Sequence, residues 1–203
     1  MVKNKGPKKY PAILIFGPPG VGKGTQAKLL ADGDKKYFHF STGDMFRNLK
    51  QGALAGSPIE RKITELISGG NFVPDDLTID LLYKTLETYK KEKRYDPEKQ
   101  TLILDGIPRN PNQVDLIAGR IEVLGIVSLV VRDYSVLVKR IKIRAEKENR
   151  MDDANEDTIR KRLGIYDTQT AAVLAKYPSE LIIEVDGLPA IEEIHRDIVS
   201  RVG

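Results

Sequence analysis

Residues 17–26 read GPPGVGKGTQ and follow directly on the apolar run AILIF at Ala12–Phe16. Four of the ten are glycine and two are proline. Such a stretch adds almost nothing to a core and costs conformational entropy to order. Its spacing supplies the reason to order it. Gly17-Pro18-Pro19-Gly20-Val21-Gly22-Lys23 has the pattern G-x-x-x-x-G-K, between a strand-like run and a helix-like run at Lys23–Ala31. Backbone N–H groups of a glycine loop can converge on one anion, because no Cβ blocks the approach. The N-terminus of the following helix adds partial positive charge. Lys23 adds a full charge for the β- and γ-phosphates of a nucleoside triphosphate. The generic motif has Ser or Thr right after the lysine, but here Gly24 intervenes and Thr25 comes second.

Outward from the loop, apolar runs alternate with helical patterns. The strands expected are Ala12–Phe16, Tyr37–Phe40, Thr101–Asp105, Ile126–Val131 and Leu181–Val185. Several are near-continuous in Ile, Leu and Val, as in strands buried on both faces. Ser57-Pro58-Ile59-Glu60 is a capping box with proline at the first helical position, opening a helix to about Ser68. Further helices are expected from Pro74-Asp75-Asp76 to about Lys91, from Asn110-Pro111 to about Leu124, and from Asp133 and Ser135 to about Glu148. The last two span Thr158–Tyr177, stopped by Pro178, and Ala190–Val202. This alternation predicts an α/β fold, a five-stranded parallel sheet with helices on both faces. Ser41–Gly70 is helical with no strand of its own and reads as a small inserted subdomain, with Gly69-Gly70 near a hinge.

The length of 203 residues suits one domain, or one with a small insertion. No apolar run approaches the ~20 residues of a membrane helix. The start MVKNKGPKKYP is basic, residues 1–9 read as a disordered tail, and AILIF is too short for a signal peptide. A cytoplasmic protein is expected, with no membrane partner. The absence of cysteine fits a reducing compartment and excludes disulfides and cysteine-ligated zinc. The net charge is +4, but basic residues are not grouped with aromatics, which are only 6% of the chain. A solvated surface with a basic tail accounts for that charge without a nucleic-acid partner.

Thr101-Leu102-Ile103-Leu104-Asp105 puts a carboxylate at the carboxyl edge of the sheet, where ligands bind in open α/β folds. Asp105 suits Mg²⁺ held through water, since Mg²⁺ gives up its waters reluctantly.

Four more stretches join the glycine loop: Ser41–Arg47 (STGDMFR), Val73–Asp76 (VPDD), Asp105–Gln113 (DGIPRNPNQ), and Arg150–Asp153 (RMDD) followed by Arg162-Leu163. Together they closely resemble the adenylate kinases, nucleoside monophosphate kinases of the P-loop NTPase type, from about Ile13 to Gly187. The resemblance implies reversible transfer, ATP + AMP ⇌ 2 ADP, with Mg²⁺. It divides the chain into core (1–40, 73–143 and 154–203), a nucleoside-monophosphate-binding insertion at 41–72 and a short lid at 144–153. Lys23 with Gly20, Gly22, Gly24 and Thr25 would hold the ATP phosphates, Arg140 would lie against the ATP adenine, and Arg144 and Gly187 would also bind ATP. Arg47 and Arg109 would bind the AMP phosphate; Thr42, Val73, Gly106 and Gln113 would line the AMP site. Arg144, Arg150 and Arg162 would close over the transferring phosphoryl group, with Arg150 and Arg162 also reaching AMP. Asp152 and Asp153 would pair with these arginines or cap the next helix. Five residues, Ala145–Asn149, separate Arg144 from Arg150, which resembles the short-lid form without structural zinc. Arg150 to Arg162 is twelve positions, one more than the usual spacing, which leaves Arg160 as the alternative to Arg162. A monomer is implied.

The chemistry agrees independently. The nucleophile is a phosphate oxygen whose second pKa is about 6, so it is already ionised at pH 7 and needs no general base. The difficulty is repulsion between two anions, which calls for arginines. His39 and His195 fall in no family motif and read as structural. Similar kinases acting on UMP and CMP carry Ala where Thr42 stands and Asn where Gln113 stands, which favours AMP as the acceptor. A UMP/CMP kinase of the same fold, a non-catalytic nucleotide-binding module and a nucleic-acid binder are the competing readings. A guanine-reading N-K-x-D stretch is not present.

Overall fold

The computed structural model describes residues 9–49, 56–69, 71–148 and 155–202. Five strands, β1 (Tyr10–Phe16), β2 (Tyr37–Ser41), β3 (Thr101–Asp105), β4 (Ile121–Val130) and β5 (Ile182–Asp186), form one sheet. Their order is β2-β3-β1-β4-β5, and every neighbouring pair is parallel. A parallel sheet covered on both faces needs apolar residues at both parities. Ala12, Leu14, Phe16, Leu102, Leu104 and Ile126 belong to one core, and Ile13, Ile15, Ile103, Val127 and Leu129 to the other. The first core is closed by α2 (Thr42–Asn48), α3 (Pro58–Ser68), α4 (Asp75–Lys91) and α5 (Pro111–Ile117). The second is closed by α1 (Lys23–Gly33), α6 (Tyr134–Glu148), α7 (Glu156–Ile165) and α9 (Ile191–Val202). The expected parallel sheet with helices on both faces is the fold observed.

Caps set where several helices begin. Ser57 accepts from the Glu60 amide at 3.1 Å, with Pro58 in the first turn, as the capping box predicts. Ser41 ends β2 and caps α2, accepting from the Asp44 amide at 3.1 Å. Asn110 caps α5 through the Gln113 amide at 2.9 Å.

Two elements differ from the sequence reading. The helix from Pro111 ends at Ile117 instead of near Leu124, because Ile121–Val123 belong to β4 and pair with Tyr10–Ala12. The register then slips, with Ala12 opposite Val123 and Ile13 opposite Gly125. Leu124 is the extra residue of that bulge, and half of it is exposed. An apolar residue pointing to solvent spoils the strand alternation and mimics the end of an amphipathic helix. The long helix expected over Thr158–Tyr177 begins at Glu156, capped by Asn155, and is interrupted by a π turn at Tyr166–Thr170 before the short α8 (Ala171–Leu174). Thr168 turns its hydroxyl back onto the Gly164 carbonyl at 3.0 Å inside this stretch.

The strand order positions the site. After β1 the chain builds outward to β2 and returns to β3 beside β1; it then crosses to β4 and β5 on the other side. The crevice at the carboxyl end of β1 is therefore the switch point of the sheet. Gly17 follows immediately, with φ of 144° and no room for a side chain, since a Cβ would lie 2.7 Å from the Leu129 carbonyl oxygen.

Leu104 lies on β3, next to the central strand, and has no exposed surface. Leu104→Ala should cost about 2–5 kcal/mol. The expected readout is a lower urea midpoint with an unchanged m-value.

Candidate active site

The loop after β1 turns on three glycines with positive φ: Gly17 at 144°, Gly20 at 82° and Gly22 at 107°. At Gly20 a Cβ would also meet Ile141 Cγ1 at 2.7 Å, so the loop packs against α6. Gly22 is the N-cap of α1 and brings no side-chain acceptor, which leaves the first-turn amides of that helix uncapped by any side chain. Lys23 folds back and donates to the carbonyls of Gly17 at 2.8 Å and Pro18 at 3.1 Å. Burial, opposed by Asp105 and reinforced by Arg109, Arg162 and Arg144, lowers the Lys23 pKa to about 8.

Asp105 ends β3 opposite Ser41 of β2 and Ile15 of β1. A Cβ on residue 24 would stand 3.1 Å from Asp105 Oδ2. Glycine at 24, the departure from the generic motif, thus lets the first turn of α1 approach this carboxylate. Burial works against the charge of Asp105, but His39, Lys23 and Arg109 outweigh it and hold the carboxyl below its ordinary range. His39 Nε2 is buried with no hydrogen-bond partner among the described residues and lies 3.9 Å from Asp105 Oδ2, outside hydrogen-bond reach.

One cleft of about 1260 Å³ collects Gly20, Gly22, Lys23, Gly24, Thr25, Asp105, Gly106 and Val73 with six arginines, Arg47, Arg94, Arg109, Arg140, Arg144 and Arg162. Arg47, on α2, pairs with Asp44 one turn earlier. Arg109 donates from Nε to the Gly106 carbonyl at 2.8 Å, and its guanidinium lies 5.2 Å from the centre of the Phe72 ring. Arg140 is held by the carbonyls of Gly187 at 2.9 Å and Leu188 at 3.2 Å, which ties α6 to the turn after β5. Arg144 stands one turn further along α6. Of the two candidates on α7, Arg160 points away and binds Glu156 at 2.7 Å, whereas Arg162 lines the cleft. Arg150, Asp152 and Asp153 lie outside the described residues.

Thr42, Gln113 and Gly187 are absent from the cleft wall. Thr42 is wholly buried and donates to the Gly106 carbonyl at 2.9 Å and the Asp105 carbonyl at 3.2 Å. Gly106 is the hub here: φ is 83°, and a Cβ would fall 2.5 Å from Thr42 Oγ1. Gln113, 2% exposed, accepts from the Arg109 backbone amide through Oε1 at 2.8 Å and donates from Nε2 to Asp75 Oδ1 at 2.7 Å. Its oxygen is therefore turned to the protein. Asp75, Phe72 and Tyr166 were not singled out from the sequence as site residues, and His39 was read as structural, although the last three line the cleft. Only Asp75 carried a signal, as part of the Val73–Asp76 motif.

Among the described residues, no group of three or more His, Cys, Asp or Glu gathers as metal ligands. One ionised carboxylate beside a phosphate loop fits a Mg²⁺ that arrives with a nucleotide and keeps its own waters.

The adenylate kinase family model matches residues 15–182, from β1 to the start of β5. The chain belongs to the adenylate kinase family. Its relatives include the adenylate kinase of Maricaulis maris, 35% identical, with 94% of this chain and 97% of that one aligned. The adenylate kinase of Thermus thermophilus is 34% identical over 95% of this chain and 97% of its own length. That of Pseudarthrobacter chlorophenolicus is 36% identical over 94% and 95%. Every arginine of the cleft falls inside the span matched to the adenylate kinase family, while Gly187 lies beyond it. No helix among the described residues is long and apolar enough to cross a membrane.

Gly106→Ala would combine a left-handed backbone, about 1–2 kcal/mol of strain, with the Thr42 clash. It should lower the melting temperature by several degrees. Gly119→Ala, where a Cβ meets nothing within 4 Å, should leave it nearly unchanged. Thermal melts of the pair check this.

Proposed function

We propose that the chain catalyses reversible, Mg²⁺-dependent phosphoryl transfer, ATP + AMP ⇌ 2 ADP. The observation that carries this reading is the convergence of Lys23, Asp105, Arg47, Arg109, Arg140, Arg144 and Arg162 on one cleft at the switch point of the sheet. Membership of the adenylate kinase family supports it, as do the names of the relatives.

An oxygen of the AMP phosphate forms a bond to Pγ in line, and the bond from Pγ to the β–γ bridging oxygen breaks. The electron pair leaves on the new ADP. With a second phosphate pKa of about 6 the nucleophile is already ionised, so no side chain need remove a proton. The task left to the protein is to bring anions together and neutralise the oxygens of the transition state. In this reading Gly20, Gly22, Gly24, Thr25 and Lys23 hold the triphosphate, Arg140 lies against its adenine, and Gly187 also contacts ATP. Arg47 and Arg109 hold the AMP phosphate, for which forked guanidinium geometry is suited. Thr42, Val73, Gly106 and Gln113 shape the acceptor site. Arg144, Arg162 and Arg150 surround the migrating group. Bound Mg²⁺, positioned by Asp105 through water, supplies further neutralisation of the phosphate oxygens. Residues 41–72 act as the acceptor clamp and residues 144–153 as a short lid that shuts out water, the competing acceptor. The proposed site is built from one chain and takes free nucleotides, which suits a cytoplasmic monomer.

The test is ADP formation from ATP and Mg²⁺ with AMP, UMP, CMP, GMP or dTMP as acceptor. AMP should be by far the best, and Arg109→Ala should lower kcat/KM by about 100-fold or more. Faster transfer to UMP or CMP would move the chain to another acceptor class. Tight ATP binding with no transfer would remove the kinase reading.

Lys23 adds a pH prediction. Its free-state pKa is lowered to about 8, and bound phosphates raise it by attraction. Between those two values ATP binding must take up a proton, so affinity falls as pH rises above about 8. Calorimetry in buffers of different ionisation enthalpy should show uptake at pH 8.5 and much less at pH 6.5, with the difference gone in Lys23→Met.

A further inference from the structure

Asp75, the first residue of α4, receives three side-chain amides from the segment that follows Arg109. Its Oδ1 accepts from Gln113 Nε2 at 2.7 Å and Asn110 Nδ2 at 2.9 Å, and its Oδ2 accepts from Asn112 Nδ2 at 2.8 Å. Burial works against its charge, but the three amides outweigh it and hold the carboxyl below its ordinary range. At neutral pH it is an acceptor only. On the other side of Gln113 stands the Arg109 backbone N–H, a donor only, 2.8 Å from Oε1.

These two neighbours leave the Gln113 amide one orientation. The oxygen must face Arg109 and the NH₂ must face Asp75. One Nε2–H is then committed to Asp75, and the second has no acceptor among the described residues. What the NH₂ end of Gln113 keeps for a ligand is a hydrogen-bond donor, held in a nearly sealed position on the backbone of a cleft arginine. A donor fixed in this way favours a base that offers a ring nitrogen lone pair. It disfavours one that offers N–H, because two donors would be left facing each other in a buried place.

We propose that Asp75 is a positioning residue that sets acceptor specificity: by locking the Gln113 amide donor-outward it selects a 6-aminopurine monophosphate over a 6-oxopurine one. The inference rests on the reading of the chain as a kinase of AMP. Adenine presents N1 as an acceptor, and hypoxanthine presents N1–H. The two monophosphates, AMP and IMP, differ otherwise only at C6, an amino group in AMP and a carbonyl oxygen in IMP. Asp75 reaches both through Gln113, and through Asn110 and Asn112 it also fixes the turn that carries Arg109.

The experiment compares wild type and Asp75→Asn in steady-state kinetics with AMP, IMP and ATP, alongside thermal melts. Asparagine keeps the size but replaces one acceptor oxygen with a donor, so it cannot serve three amides, and it leaves Gln113 held at its Arg109 end alone. KM for AMP should rise about tenfold while KM for ATP stays within about twofold. The AMP-over-IMP preference in kcat/KM should fall about tenfold. Asp75→Glu, which restores the carboxylate, should recover part of that preference. A variant that lowers the melting temperature yet keeps the AMP-over-IMP ratio of wild type would overturn the proposal and leave the kinase reading standing. Wild type that transfers nothing to AMP would instead overturn the acceptor reading and this inference with it. If Asp75→Asn does not fold, the side-chain amide NMR signals of the wild type give the answer. The Gln113 NH₂ pair should shift on AMP addition and not on IMP addition at equal occupancy; equal shifts would overturn the proposal.

Discussion

The carboxylate of Asp105 and the first turn of α1 are packed so closely that residue 24 has no room for a side chain without pressing on Asp105 Oδ2 at 3.1 Å. Much of the cleft depends on this approach. It sets a buried negative charge among the basic groups, and Asp105 is the one influence that opposes burial and the three arginines in lowering the Lys23 pKa. The parallel sheet makes the approach possible. Ser41 on β2, Asp105 on β3 and Ile15 on β1 are in register, so three chain segments end at one level. A tight glycine loop can then reach across all of them.

The cost of the site is like-charge crowding. Six guanidiniums and three lysines line one cleft, and interactions of that kind oppose folding unless the side chains are held elsewhere. The structure ties several of them down. Arg140 sits on two carbonyls after β5, Arg109 on the Gly106 carbonyl, Arg47 on Asp44 and Lys23 on its own loop. Polyphosphate would relieve the remaining repulsion, so a nucleotide that binds only the folded state should stabilise it strongly. The two glycines with the tightest surroundings serve the same frame. Gly106 lets Thr42 pin the end of β3, and Gly187 packs on Val21 beside the loop, where a Cβ would come within 2.3 Å.

Much of this was legible in the residues. The loop motif, the apolar strands, the Ser57 and Asn110 caps and most of the cleft arginines are local features, and local features can be read one stretch at a time. The misread parts depend on partners distant in sequence. Ile121–Val123 is a strand because Tyr10–Ala12 lies beside it, and the bulge that exposes Leu124 hides the alternation. The break at Tyr166–Thr170 interrupts a pattern that is helical throughout. His39 looked like a core residue because nothing near it in the sequence says that β3 ends in a carboxylate one strand away.

By itself, the sequence determined a glycine loop of the phosphate-cradling kind at the end of the first strand. Glycine spacing, a following helix and a lysine are all that such a cradle requires, and they are contiguous. It also determined a parallel sheet covered on both faces, because strands apolar at both parities can be buried no other way. Only the tertiary structure decided which arginine of α7 enters the cleft. Arg160 and Arg162 are two residues apart and so point about 200° away from each other around the helix, and the packing of Ile159 and Leu163 into the core sets which of them faces inward. Only the tertiary structure, too, decided which way Gln113 turns. An amide offers a donor and an acceptor alike until its neighbours are in place. Those neighbours, Arg109 and Asp75, lie 4 and 38 residues away in the chain, and the fold alone brings them to its two ends.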